Sequence, residues 1–254
     1  MTSRTAIDPF ARLRGLTPAR VGLGRAGDGL PTAPMLSFHI AHAEARDAVW
    51  APLESARVTS ALAPLDTIEV ASRAAGRESY LRRPDLGRRL EEVSAARLTP
   101  GTWDLAIVIA DGLSAPAVHA HAAPLVGALI EHLPGLAIAP IVIASMARVA
   151  LGDEIGERLG AAMALVLIGE RPGLSAQDSL GAYLTWRPRI GRLDADRNCV
   201  SNIRPPTGLG YETAADTLGW LIGEGRRRGL TGVTLKDERP PALANRADDQ
   251  AGVV

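Results

Sequence analysis

Apolar and polar positions follow two different periods along this chain. From residue 103 onward, short apolar runs alternate with segments of helical period. Trp103 to Ala110, Leu136 to Ala144, Ala164 to Ile168 and Ala182 to Trp186 have the length and β-branched content of buried strands. Asp111-Gly112-Leu113-Ser114 follows the first run, and Ser114 suits the N-cap of a helix from Ala115, with a kink or restart at Pro124 and an end near Leu133. A helix from about Asp153 to Leu159 separates the second and third runs. A last helix is predicted from Tyr211 to about Gly225, with Ala214, Ala215, Leu218, Leu221 and Ile222 as its buried stripe. Arg226-Arg227-Arg228-Gly229 ends it in accord with the helix dipole. Strand–helix alternation with short connections predicts an α/β fold with a parallel, doubly wound sheet.

The chain before Pro64 reads differently. Thr32 to about Ala48 is helical, with Thr32 as a cap and Pro34 in the first turn, and short helix or loop continues to Ala63. Thr67 to Val70 alternates polar and apolar positions, which predicts a half-buried strand. Tyr80 to Leu90 leads into a helix through Ala96, with Pro84 and Asp85 suited to its start. The expected organisation is a helical N-terminal region, 1–63, an α/β domain, 64–235, and a disordered Pro-, Asp- and Ala-rich tail, 236–254.

Composition narrows the classes. Lys+Arg and Asp+Glu are both 28, so the balanced charge argues against a general nucleic-acid or membrane-surface binder. The single cysteine, Cys199, excludes an internal disulfide framework and a cysteine-cluster metal site. Neither a leader pattern nor an 18-residue apolar run is present, so a soluble, cytoplasmic chain is expected.

Familiar catalytic motifs are missing. Gly22-Leu23-Gly24-Arg25-Ala26-Gly27 matches the dinucleotide fingerprint formally. Turn chemistry after it and Pro18 before it favour a plain glycine loop over a nucleotide-dependent oxidoreductase. His39 and His42 stand at i, i+3 without a third ligand nearby, and His119 and His121 cannot share a helix face. Asp194-x-Asp196-x-Asn198 imitates the start of a calcium loop but lacks its glycine and distal glutamate. Asp111 reads better as a tie for turn amides than as a catalytic group. For Arg82, Arg83, Arg88 and Arg89, an ion-pair network or solvated face is the plainer reading, and a patch for an acidic partner or a phosphate the sharper one. What remains is a sheet edge where Gly169-Glu170-Arg171-Pro172-Gly173 ends one strand and the polar segment 194–202 follows the next. Ligands of open α/β sheets sit at such strand ends.

Five segments carry a resemblance. They are Val21 with Gly24-Arg25-Ala26-Gly27, Tyr80-Leu81-Arg82-Arg83-Pro84-Asp85-Leu86-Gly87-Arg88-Arg89-Leu90, Asp111-Gly112-Leu113-Ser114, Ile168-Gly169-Glu170-Arg171-Pro172-Gly173-Leu174, and Asp196-Arg197-Asn198-Cys199-Val200-Ser201-Asn202-Ile203. In this order, from about Thr17 to about Gly229, the chain resembles the small subunit of ethanolamine ammonia-lyase. The resemblance implies an adenosylcobalamin-dependent lyase that converts ethanolamine to acetaldehyde and ammonia. It implies a TIM-barrel large subunit that holds the substrate, a Rossmann-like small subunit that closes over the cobalamin, and assembly as a hexamer of heterodimers. It places cofactor contacts at Val149, Glu170 and Cys199, with no catalytic residue and no metal ligand on this chain. Family members that enter bacterial microcompartments often carry a longer N-terminal extension, whereas about 16 residues precede the shared region here.

Overall fold

The computed structural model describes residues 8–239. Three helices, α1 (Ala11–Arg14), α2 (Thr32–Trp50) and α3 (Ser55–Leu62), precede the first strand. There follow β1 (Thr67–Ala71), α4 (Arg77–Arg82), α5 (Glu92–Ala95), β2 (Trp103–Ala110), α6 (Ala115–Glu131), β3 (Ile141–Ser145), α7 (Leu151–Leu159), β4 (Ala161–Gly169), β5 (Leu180–Trp186), β6 (Arg197–Ile203) and α8 (Tyr211–Arg228). The fold is α/β, with one six-stranded sheet in the order β1-β3-β2-β4-β5-β6.

Alternation along β2 explains the layers. Leu105, Ile107 and Ile109 face one side with residues of α3, α6 and α8. Ala106, Val108 and Ala110 face the other, against Leu151, Ile155 and Leu159 of α7. With helices on both faces, the central strands are apolar throughout, as parallel strands buried on two sides must be.

The sheet is not wholly parallel. β1, β3, β2 and β4 run parallel, but β4–β5 and β5–β6 are antiparallel. The connections 170–179 and 187–196 contain no α-helix. A parallel return needs a crossover of about a dozen residues or more, so these short links force a reversal. The 194–202 segment, expected as a polar loop, is largely the edge strand β6. Its polar side chains stand on a border strand, where one edge and part of one face meet solvent.

Other expectations shift locally. In place of the helix expected from Pro84–Asp85 through Ala96 stand a 3-10 turn at Leu86–Arg88 and the short α5, and α4 lies before Pro84. Helix α6 runs through Pro124 without a break, and Ser114 caps it by accepting from the Ala117 amide at 3.3 Å. Pro31, not Thr32, stands at the N-cap of α2. The predicted stripe of α8 is buried as expected. At the start of the C-terminal tail, Arg239 bonds Asp216 at 2.7 Å and lies over Trp220, and the remainder of the tail falls outside the described residues. Helix α2 buries only Ala41 and Ala48, leaving Met35, Leu36, Phe38, Ile40 and Trp50 exposed. No helix among the described residues is long and apolar enough to cross a membrane.

Candidate functional site

The chain passes from β2 to β3 on one side, then from β3 to β4 on the other side of β2. The strand order therefore reverses between β2 and β4, and their carboxyl ends part to leave a crevice. Two glycines shape it. Gly112 has φ of 54°, and a Cβ there would strike the Gly169 carbonyl oxygen and Ile168. A Cβ on Gly169 would strike the carbonyl oxygens of Ser114 and Asp111. A cavity of about 440 Å³ opens above them, lined by Tyr80, Arg148, Val149, Glu170, Arg171 and Tyr183 among others. That volume lies in the usual range for small-ligand sites.

Glu170 follows β4 directly, and three groups fix its carboxylate. The hydroxyls of Ser179 and Ser201 donate to it, and the Asn202 amide donates at 3.2 Å. A register shift between Leu180 and Ala182, with φ of 58° at Asn202, turns this end of β6 toward Glu170. Gly181 keeps the approach open, since a Cβ there would press on the glutamate side chain at 2.9 Å.

Val149 sits in the loop between β3 and α7, on the same cavity. Asp111, buried at the end of β2, ties that loop down by accepting from the amides of Met146 at 3.0 Å and Ala147 at 2.9 Å. Burial pushes its carboxyl upward in pKa, against these amides and the Arg77 guanidinium at 3.2 Å. Asp111 is thus a structural tie, as its place after an apolar strand suggested.

Cys199 does not line the cavity; it pairs across the ladder with Tyr183, which does. Its residue is exposed on the edge strand, yet neighbouring atoms crowd the sulfur enough to raise its pKa. The Tyr183 hydrogen bond opposes that rise, and the Glu170 charge adds to it. A thiol held protonated is a poor nucleophile. Tyr183 is itself pushed up, first by burial and then by Cys199 and Glu170. The structure thus gathers Val149 and Glu170 at one cavity and puts Cys199 one strand further out.

The cavity also uses residues the sequence reading passed over. Tyr80, fully buried, lies between the guanidinium groups of Arg77 at 4.8 Å and Arg148 at 4.3 Å, and its hydroxyl donates to the Ala147 carbonyl at 3.0 Å. It stands inside the second resemblance segment, and Arg77 is its i, i+3 neighbour on α4, but nothing in the local pattern shows Arg148 arriving from the β3–α7 loop.

The remaining candidates resolve structurally. Gly22, Gly24 and Gly27 all have positive φ in a loop with no strand before it among the described residues, pinned where Arg14 donates to the carbonyls of Val21 and Gly22. His39 and His42 are exposed, the His119 ring accepts from the Glu54 amide, and His121 bonds the Tyr211 hydroxyl. Asn198 holds the segment after α8 through Gly232 and Leu235. Among the described residues, no group of three His, Cys, Asp or Glu side chains is placed to hold a metal. Arg82, Arg83 and Arg89 pair with Glu78, Asp85 and Glu154, which is the plainer of the two readings of that cluster.

Fold and site together define an α/β protein with a cavity where the strand order reverses and a fixed carboxylate at its rim. Residues 7–236 match the model of the ethanolamine ammonia-lyase light chain (EutC). Ethanolamine ammonia-lyase small subunits of Rhodopseudomonas palustris and Azotobacter vinelandii are 56% and 52% identical; the alignments cover 94% of both chains in the first case, and 96% of this chain and 94% of the relative in the second. The small subunit of Ralstonia nicotianae is 52% identical over 91% of this chain and 88% of its own length. The chain belongs to the ethanolamine ammonia-lyase light-chain family and is a lyase subunit.

Proposed function

We propose that this chain encloses the cofactor of an adenosylcobalamin-dependent ethanolamine ammonia-lyase. In this reading it is a Rossmann-like unit, residues 64–235, carrying a helical N-terminal region, 1–63. It closes over a cobalamin held jointly with a TIM-barrel large subunit, and the pairs assemble as a hexamer of heterodimers. The observation that carries the reading is the setting of Glu170. An ionised carboxylate has about four acceptor positions, and Ser179, Ser201 and Asn202 take three, leaving capacity for a neutral donor such as a corrin amide or ribose hydroxyl. Val149 adds an apolar contact, and the small Cys199 lets a large ligand approach the β6 edge.

Size supports a shared site. A cavity of about 440 Å³ is smaller than a cobalamin, so this chain would form one wall and a partner the other. The exposed apolar residues of α2 suit contact with that large subunit. When bound, adenosylcobalamin supplies the radical chemistry, while this chain's residues hold and orient it. The chain alone is expected to show no lyase activity, with turnover restored by the large subunit. Glu170→Ala should weaken cobalamin binding in the reconstituted complex while leaving the circular dichroism spectrum unchanged. Deamination by the isolated chain would end the proposed division of labour, and unaltered cobalamin affinity would remove Glu170 from the site.

A further inference from the structure

The charge balance of the cavity points to a second ligand chemistry. Its lining carries one carboxylate, Glu170, and two guanidinium groups, Arg148 and Arg171. Glu170 spends most of its accepting capacity on Ser179, Ser201 and Asn202. Neither arginine has an ion-pair partner among the described residues, whereas neighbouring Arg77 pairs with the buried Asp111. Arg148 is also held in place. Its guanidinium stacks on Tyr80 at 4.3 Å and donates through Nη2 to the Tyr80 carbonyl at 3.2 Å. Its Nε is covered by protein atoms, so the remaining guanidinium nitrogens are the ones a ligand in the cavity would meet.

We propose that Arg148 and Arg171 form an anion site for a phosphoryl group at the carboxyl ends of β2 and β4. Planar guanidinium groups match the oxygen geometry of phosphates and keep their charge at every working pH. Arg148 is the fixed member, set by its stack on Tyr80, and the exposed Arg171 is the adjustable one. The phosphoryl group has two candidate sources: the phosphodiester of a bound cobalamin, or a separate phosphorylated small molecule. The site itself rests on the cavity being a ligand site; only the first source rests on the cobalamin reading.

Two measurements test it. The first follows the arginine Nε resonances of the full chain during titration with inorganic phosphate at constant ionic strength, with chloride as control. Saturable shifts of Arg148 and Arg171 with phosphate alone are expected. Arg171→Gln should weaken the binding about tenfold, as befits loss of one charge-assisted contact. Arg148→Gln should do the same, and Arg148→Lys should restore part of the loss. Since Arg171 is exposed, Arg171→Gln keeps the test valid if the Arg148 variants unfold. Absence of a saturable shift, or full phosphate binding by Arg171→Gln and Arg148→Gln, would overturn the site. The second compares cobalamin with cobinamide, which lacks the phosphodiester, on the complex with the large subunit. Arg171→Gln weakening only cobalamin supports the cofactor source. Equal effects on both corrinoids, with phosphate binding to the chain intact, overturn that source in favour of a separate phosphorylated ligand. Failure of the wild-type complex to bind either corrinoid would refute the cobalamin reading and leave the phosphate result standing.

Discussion

Arg197 lies beneath the outer wall of the site and supports the sharpest stability prediction. It begins β6, the strand that brings Cys199, Ser201 and Asn202 alongside Glu170. Its guanidinium makes two bonds to Asp153 of α7, at 2.6 and 2.7 Å, and both side chains are 2% exposed. Burial works against the arginine charge, but Asp153 and Asp194 overcome it and raise its pKa. Asp153→Ala leaves that charge buried. Removing one partner of a buried pair costs about 3–5 kcal/mol. Thr185 Oγ1 at 2.9 Å, the Arg192 carbonyl at 3.1 Å and the exposed Asp194 carboxylate at 3.6 Å remain as partners, which places the expectation near the lower end, about 3 kcal/mol. Against a total of about 5–15 kcal/mol, such a loss is large. Urea unfolding followed by circular dichroism measures it, and hydrogen exchange should show β6 amides opening first. The double replacement Asp153→Leu with Arg197→Met should cost less than the single change, because no charge stays unpaired. A loss below about 1 kcal/mol for Asp153→Ala would refute the reasoning.

Glu154, 2% exposed, accepts from the Leu90 amide and from Arg89 and Arg158. Burial alone would raise its pKa, but these partners together hold it below the ordinary carboxylate value. Its contribution is therefore present above the unfolded value of about 4.3 and is lost as pH falls through the lowered folded one. Glu154→Gln should destabilise at pH 7 by about 1–3 kcal/mol, with the gap to wild type closing below about pH 4 in acid-unfolding curves. Gly169→Ala puts a methyl group against two backbone oxygens and should cost about 3 kcal/mol or more, seen as a lowered Tm and weakened ligand binding. Ser114→Ala removes the cap of α6 and the bond to the Gln177 carbonyl at 2.8 Å, and should cost about 1–2 kcal/mol in thermal unfolding.

Much of the architecture was legible because it depends on local period. β2 matches its predicted limits, β4 extends the expected run by three residues at its start and one at its end, and the stripe of α8 is the buried one. Ser114 and Gly229 mark helix ends through backbone conformations that their own chemistry favours. Glu170 stood out because a strand end followed by a turn is where α/β sheets bind ligands.

The sequence by itself determined the α/β class, the apolar strands and the position of Glu170, because hydrophobic period and turn chemistry act within a few residues. Only the tertiary structure decided which strands run antiparallel, since pairing depends on what a connection can span. It turned the 194–202 segment from a loop into an edge strand. It alone brought Arg148 over the Tyr80 ring, and Ser179 and Ser201 onto Glu170. These contacts join residues far apart in the chain or on different elements, and no local pattern encodes them. They form because burying polar groups is costly unless each finds a partner, and partners become available only once the sheet has closed.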